Sequence, residues 1–521
     1  MPDDVRDSRR VLVGSGFVFA SRMTGFAMML VFSVFMARAL GRDVYGLISI
    51  TIGIFGIMTI VGDLGMNTAS ARKVALVRRS GEGAGVRQIL VATLWVKAVT
   101  GATLAAAIFL MAPAFQSLFD KPVAPLIRLV ALAILFNLLG SSFQSMMRGM
   151  HRMDLYALSN VLRDVLWVSL SVAFVLAGQG VEGAIRGYLI GQIAWFLANA
   201  TIYAVLLDAP GPLWPDAVLV RELILFGIPV IAVDLMVFIY SWTDTFVLGI
   251  FRETWEVSTY NIAFGMVSMV MVVVTSVGTT VFPIFSERSV DRSPDGLTAL
   301  FSRLTRLVIV AVFPLLSFIA VLGPFVVLVY GRQYSQAVFP LIVLVVWGYL
   351  RPYGGIGASL LTALARQRYV MYATAAVAGL NLALNLALIP PYGMMGAAVA
   401  STASMVLGSA LILRFLAHLD GVRARPSDMT VPLLVSLVLS ASMFLLLAHV
   451  LRGDPPLLPT VLILASALAV VLVTYMAALR LLGYFDEEDM DALHHATGNI
   501  PLVRHIVPAL LPRSPPSTRR T

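Results

Sequence analysis

The chain has 521 residues, 59% of them hydrophobic and only 12% charged, with a mean hydropathy of +0.90. A water-soluble core cannot use that much apolar surface, so a soluble enzyme or regulatory domain is excluded. The net charge of +9 raises the question of a nucleic-acid partner, while the lack of any cysteine rules out disulfides and thiolate metal sites.

A helix needs about 20 mainly apolar residues to cross roughly 30 Å of hydrocarbon. In chain order that rule predicts fourteen spans, near 12–36, 45–66, 89–113, 124–147, 155–178, 183–207, 222–240, 259–283, 306–330, 336–361, 370–390, 393–417, 430–450 and 457–482. Stretches such as 306–330 are apolar on every side, whereas strands of an outer-membrane barrel would alternate. The fold class expected is therefore all-α and polytopic. The first stretch is too long for the core of a signal peptide and is kept as a helix. With both termini in the cytoplasm, inside segments carry roughly 25 Lys or Arg and outside loops roughly 6. The inside set includes Arg6, Arg9, Arg10, Arg72, Lys73, Arg78, Arg79, Arg87, Arg288, Arg292, Arg303, Arg306, Arg423, Arg425, Arg519 and Arg520. The outside set is Arg38, Arg42, Lys121, Arg252, Arg332 and Arg452. The positive charge thus reports topology and contact with anionic lipid, and argues against nucleic acid. A multi-pass protein of the cytoplasmic membrane is the expectation.

An internal repeat organises the spans. Ser145 to Gly183, with Arg152 and Gly180-Val181-Glu182-Gly183-Ala184, falls on Ser359 to Gly396, with Arg366 and Gly393-Met394-Met395-Gly396-Ala397, at an offset of 213 to 214 residues. Six helices separate the copies, so both have one orientation. A parallel repeat implies two similar lobes around an axis along the membrane normal, with a cavity between them. The expected organisation is an N-lobe over 1–208, a C-lobe over 209–420, two added helices over 421–482 and a cytoplasmic tail over 483–521. The acidic stretch 486–491 and the proline-containing end of the tail read as part helix and part disordered.

Four segments carry a resemblance to a known family. Ala37-Arg38-Ala39-Leu40-Gly41-Arg42-Asp43-Val44-Tyr45-Gly46-Leu47 resembles an A-R-x-L-G-x-x-x-Y-G-L turn, and Ser21-Arg22-Met23-Thr24-Gly25-Phe26 an S-R-x-x-G-F motif. Asp244, Tyr260-Asn261-Ile262-Ala263 and Phe282-Pro283-Ile284-Phe285-Ser286-Glu287 follow in order. Asn381 to Pro390, with Tyr392-Gly393 and Gly396-Ala397-Ala398, resembles a helix 11 to 12 junction. Over roughly residues 10–420 the chain resembles the polysaccharide transporter branch of the multidrug/oligosaccharidyl-lipid/polysaccharide exporter superfamily. The resemblance implies a transporter, not an enzyme. The expected activity is translocation of a polyprenyl-diphosphate-linked oligosaccharide by alternating access, for cell-surface polysaccharide biosynthesis. The chain is expected to be a monomer in contact with membrane lipids and associated with glycan-assembly proteins.

Most of these motif residues have structural readings. Gly41 and Gly393 sit where the chain must reverse, and Gly180/Gly183 and Gly393/Gly396 form small-xxx-small pairs for close helix packing. Pro229, Pro283 and Pro352 each remove a backbone donor and can kink a span. Charges inside spans are more informative, because each costs at least about 2.5 to 3.5 kcal/mol at the bilayer centre. They are Arg22, Lys97, Arg163 with Asp164, Asp234 and Arg351, with Asp63, Arg128, Arg186 and Asp244 nearer span ends. Arg22, Lys97, Arg163 and Arg351 are the candidate contacts for a diphosphate, since guanidinium forks match phosphate oxygens. The competing reading pairs Arg163 with Asp164 or Asp63 and lets Lys97 snorkel.

No G-x-x-x-x-G-K-[ST] loop occurs, so no ATP is hydrolysed here, and an ion gradient is the remaining energy source. Asp234 on the seventh span, with Asn381 and Asn385 four apart on one face of the eleventh and Ser401 on the twelfth, offers oxygen ligands for a sodium ion. Lipid-linked peptidoglycan-precursor flippases are similar but carry an acid where this chain has Asn385; plain interhelical hydrogen bonding is the alternative. Protonation of Asp234 or Asp63 is another means of coupling. No other cofactor is implied. The rival functions are a multidrug exporter of the same superfamily, which would prefer an acidic and aromatic cavity, and a membrane glycosyltransferase or polysaccharide polymerase, which would need a sizeable outside loop. A structural scaffold is a third, and leaves the buried charges unexplained.

Overall fold

In hydrocarbon every backbone N–H and C=O must be satisfied within the protein, and a chain this apolar meets that demand by folding into helices. A computed structural model describes residues 3–80, 84–206, 214–288, 294–425, 427–450 and 456–484. Its helices are α1 (Asp3–Leu40), α2 (Arg42–Asp63), α3 (Met66–Ser80), α4 (Ala84–Phe119), α5 (Ala124–Gly149), α6 (Met153–Phe174), α7 (Gly180–Leu206) and α8 (Ala217–Phe251). They continue with α9 (Thr254–Arg288), α10 (Pro294–Val321), the short α11 (Gly323–Val326), α12 (Val338–Ala363), α13 (Gln367–Asp420), α14 (Ser427–Val450) and α15 (Leu457–Leu481). The expected tail, 483–521, lies almost entirely outside the described residues.

Among the described residues twelve helical runs are long and apolar enough to cross a membrane, against fourteen spans read from sequence. Two of the twelve, Met153–Val205 and Gln367–Asp420, are 53 and 54 residues long. Straight, each would extend roughly 80 Å at 1.5 Å per residue, far more than the bilayer holds. Both are instead folded back on themselves at glycines with positive φ. The first breaks at Gly178 and Gly180 and the second at Gly393, where the sequence placed its turns. In the first hairpin Ser171 Oγ donates to the Ala184 carbonyl at 2.8 Å, and a Cβ on Gly187 or Gly191 would collide with the backbone of Ser171 or Trp167. The helices touch because those residues have no side chain.

The repeat is visible in backbone detail. Gly180 has φ 58°, ψ −145°, and Gly393, 213 residues on, has φ 57°, ψ −136°. Upstream, α5 and α12 end in the same way. His151 (φ 56°) and Ala365 (φ 57°) are left-handed, and the next N–H, of Arg152 or Arg366, donates back to Met147 O at 2.9 Å or Leu361 O at 2.7 Å. This is the six-to-one hydrogen bond that closes a helix C-terminus.

One element was not expected. The connector after the second span contains α3, a helix carrying Arg72, Lys73, Arg78 and Arg79 that begins past a break at Leu64 (φ 48°) and Gly65 (φ 70°). Lys73 Nζ lies 2.7 Å from Glu222 on α8, and the Arg72 guanidinium stacks 4.6 Å from the Phe226 ring.

The chain divides into two compact units, 1–262 with 377–401 and 263–376 with 402–521. In the first, Met66, Val74, Leu90, Phe143, Met147 and Leu223 pack α3, α4, α5 and α8 together. In the second, Phe318, Leu322, Phe325, Leu447, Leu464 and Val471 join α10 and α11 to the two C-terminal helices. Large side chains such as Leu110, Leu176, Val205, Leu445 and Leu481 are exposed on the surface. In water that would be an aggregation liability; on a membrane protein it is the lipid contact.

Candidate functional site

Three polar clusters lie inside the first unit. The first centres on Asp244, which sits on α8 and is fully buried. The Tyr260 hydroxyl on α9 donates to Asp244 Oδ2, the Ser401 hydroxyl on α13 donates to the same oxygen at 3.2 Å, and the Thr245 N–H donates to Oδ1 at 2.7 Å. Behind them Asn381 Nδ2 donates to Ser401 Oγ at 3.3 Å, and Asn385 Nδ2 to Asn381 Oδ1 at 2.9 Å. Asn385 Oδ1 is buried without a hydrogen-bond partner. Thr245 Oγ1 also reaches Asn261 Oδ1, at 3.0 Å. Asp244 and Glu256 are the two buried acids among the described residues. Glu256 has a cation beside it, Arg252 Nε at 2.8 Å, while the partners of Asp244 are all neutral. A carboxylate removed from water without a counter-ion is costly, and a proton or a small cation would relieve that cost.

The sequence groups Asn381, Asn385 and Ser401 with Asp234, whereas in the structure the acid beside them is Asp244. Asn381, Asn385 and Ser401 do meet, but Asp234 is exposed on α8. It lies ten residues, roughly 15 Å, along that helix from Asp244 and turned to another face. The seventh span was expected to end at 240; α8 runs to Phe251, which puts Asp244 well inside a helix. Tyr260 belongs to a motif to which the sequence gives no role; an aromatic hydroxyl one helical turn after an acid, Glu256, was the available signal.

The second cluster surrounds Lys97 on α4. Its side chain is fully buried, and its ammonium lies 2.6 Å from Asp63 Oδ1 while donating to Asn67 Oδ1 at 2.8 Å and Ser141 Oγ at 2.9 Å. Lys97 was expected to contact a ligand or to snorkel. In this structure its ammonium is ion-paired with α2 and hydrogen-bonded to α3 and α5. Arg148, which the sequence reading passed over, adds a bond from Nη2 to the Asn67 carbonyl at 3.1 Å. Together the two cations hold the break between α2 and α3, and Asp63 is a partner of Lys97.

The third cluster joins α1 and α6. Arg163 Nε lies 3.0 Å from Asp164 Oδ1, and its guanidinium stands 5.8 Å from the Trp195 ring. A Cβ on Gly25 would come within 2.6 Å of Asp164 Oδ2, which gives the glycine of the S-R-x-x-G-F motif its reason. Arg22, three residues earlier, is exposed. Arg163 keeps about a third of its side chain exposed despite its pairing. Arg351, on α12 in the second unit, is half-buried.

The chain is thus a duplicated, all-helical polytopic membrane protein with buried polar clusters, and among the described residues no group of three or more His, Asp or Glu could hold a metal. Residues 11–289, more than half of the chain, match the family described as polysaccharide biosynthesis protein, and the chain belongs to that family. A curated relative, the probable low-salt glycan biosynthesis flippase Agl15 of Haloferax volcanii, is 24% identical over 435 residues, covering 82% of this chain and 88% of its own. Among solved structures, the lipid II flippase MurJ in an inward closed conformation gives a TM-score of 0.68 at 14% identity, over 90% of this chain and 99% of that one. An inward-facing multidrug resistance MATE family transporter gives 0.63 at 15% identity, over 82% and 96%. At such identities the likeness is one of fold.

Proposed function

We propose that the chain is a flippase that moves a polyprenyl-diphosphate-linked oligosaccharide across the cytoplasmic membrane by alternating access, with both termini in the cytoplasm. The observation that carries this reading is the pairing of a polysaccharide-biosynthesis family match with a transporter fold in one chain. The likeness to a probable glycan flippase over 82% of the chain supports it. Arg22 and Arg163 are the proposed diphosphate contacts of the first unit, and Arg351, taken by itself, that of the second, since each keeps part of its guanidinium open to phosphate oxygens.

Coupling is assigned to Asp244. A buried carboxylate held only by neutral donors gains most from an arriving cation, and the orphaned Asn385 Oδ1 adds an oxygen ligand. Either a proton or a sodium ion serves this chemistry. The test is reconstitution in vesicles with a fluorescent lipid-diphosphate oligosaccharide, under a sodium gradient and, separately, a proton gradient. Arg22→Ala is expected to weaken substrate use about 10-fold or more, the size of one charge-assisted hydrogen bond. Asp244→Asn should abolish stimulation by whichever gradient drives the wild type, while Asp234→Asn leaves it. Unchanged flipping in Arg22→Ala, Arg163→Ala and Arg351→Ala would remove the cationic headgroup contact.

A further inference from the structure

Glu256 stands between the Asp244 cluster and the turn that joins α1 to α2. Its Oε2 accepts the N–H of Met394 at 2.9 Å, and its Oε1 accepts Arg252 Nε at 2.8 Å. Met394 is the first residue past the Gly393 break, so Glu256 caps the free N-terminal end of the second half of α13, where orphan N–H groups favour a carboxylate. One turn further along α9, Tyr260 reaches Ser401 Oγ at 3.1 Å and donates to Asp244. Ser401 is two turns beyond Met394. Glu256–Met394 and Tyr260–Ser401 are therefore successive rungs between the same two helices.

The opposite side of that first turn of α9 grips the motif at residues 41–47, which the proposed function leaves unused. Thr254 Oγ1 donates to Asp43 Oδ1 at 3.3 Å, and the Arg42 guanidinium lies 4.9 Å over the Trp255 ring. Gly46 is packed so closely on the Thr254 carbonyl that a Cβ there would collide with it. The stretch 254–260, roughly 9 Å of helix, touches the α1–α2 turn at one end and Asp244 at the other.

We infer that Glu256 is a positioning residue through which the charge state of Asp244 is transmitted to the α1–α2 turn. A cation arriving on Asp244 displaces the Tyr260 hydroxyl. Because Glu256 ties the start of α9 to the start of the second half of α13, both helices and the turn packed on Thr254 respond together. Without Glu256 the two rungs separate, and the turn no longer senses the acid. The inference rests on the coupling role proposed for Asp244.

The chain has no cysteine, so Asp43→Cys with Thr254→Cys supplies a single reactive pair in the full-length protein in vesicles. The rate of disulfide formation under copper phenanthroline, divided by that of free cysteine under the same oxidant because thiolate fraction rises with pH, is read in sodium against choline chloride, and at pH 6 against pH 8. One of those changes is expected to alter the rate at least 3-fold. Asp244→Asn and Glu256→Ala should each flatten the response, whereas Glu256→Gln, which keeps an oxygen for the Met394 N–H, should preserve it. A Glu256→Ala protein that responds like its parent, with Asp244→Asn flat, overturns the inference and leaves the coupling reading standing. A parent that responds to neither condition, or an Asp244→Asn protein that responds like the parent, overturns both.

Discussion

At the scale of single residues, the fate of Lys97 shows how a buried charge acquires its partner. An ammonium with no exposure survives in a bilayer-spanning bundle because Asp63, Asn67 and Ser141 surround it. Removing one member leaves the other charge uncompensated. Lys97→Met is expected to cost about 3 to 5 kcal/mol, and the double change Lys97→Met with Asp63→Asn to recover most of that loss. Thermal unfolding of the purified protein in detergent would measure both; equal destabilisation by single and double variants would contradict the pairing. The sequence marked Lys97 and Asp63 as intramembrane charges and could not mate them, since 34 positions separate two residues on different helices. Arg163 and Asp164, adjacent in sequence, could be paired in advance. Long-range partners among charges depend on the rotation of each helix about its axis, and in α4 the apolar residues run all round and fix no facing direction.

At the scale of elements, the two hairpins are the part of the fold that was most legible, because glycine spacing repeats at a fixed offset. Gly180 and Gly393 share a backbone conformation reserved for glycine, so replacing either with alanine should cost about 1 to 3 kcal/mol of strain. Their surroundings differ. A Cβ at 180 would meet open space, whereas one at 393 would run into the Glu256 carboxylate and the Arg252 guanidinium. Gly393→Ala should therefore destabilise more than Gly180→Ala in the same unfolding assay, and a reversed order would contradict the packing described. Helix α3 was illegible for the opposite reason. Its 15 residues are too polar to register as a span, and its helical form depends on tertiary partners, Glu222 and Phe226 on α8, that no local pattern announces.

At the scale of the whole molecule, composition alone was enough for the fold class, since backbone satisfaction in hydrocarbon leaves helices as the form this chain can take. The expected lobes, cut at 208, divide the chain elsewhere than its compact units, which place 377–401 with residues 1–262. A repeat records how a sequence is built. The packing of the folded chain follows the buried polar contacts, and here Ser401 and Asn381 go with Asp244. Asn381, Asn385 and Ser401 could be grouped from sequence for the same reason: polar side chains four apart, or facing across a hairpin, in otherwise apolar helices have few places to go.

The basic side chains are nearly all arginine; lysine occurs only at 73, 97 and 121. An amine-acylating reagent therefore has three side-chain targets, each in a different setting. Lys73 is tied to Glu222 near the surface. Lys121, in the loop between α4 and α5, donates to the carbonyls of Phe119 and Gly249, and its partial burial lowers the pKa of its ammonium. Its free amine consequently appears at lower pH than that of an ordinary lysine, whose pKa is about 10.4, and its acylation should set in earlier on a pH titration followed by mass spectrometry. Lys97 should stay dark throughout. Any ligand or gradient that makes it take up label would report, from one peptide, that the bundle interior has opened to water.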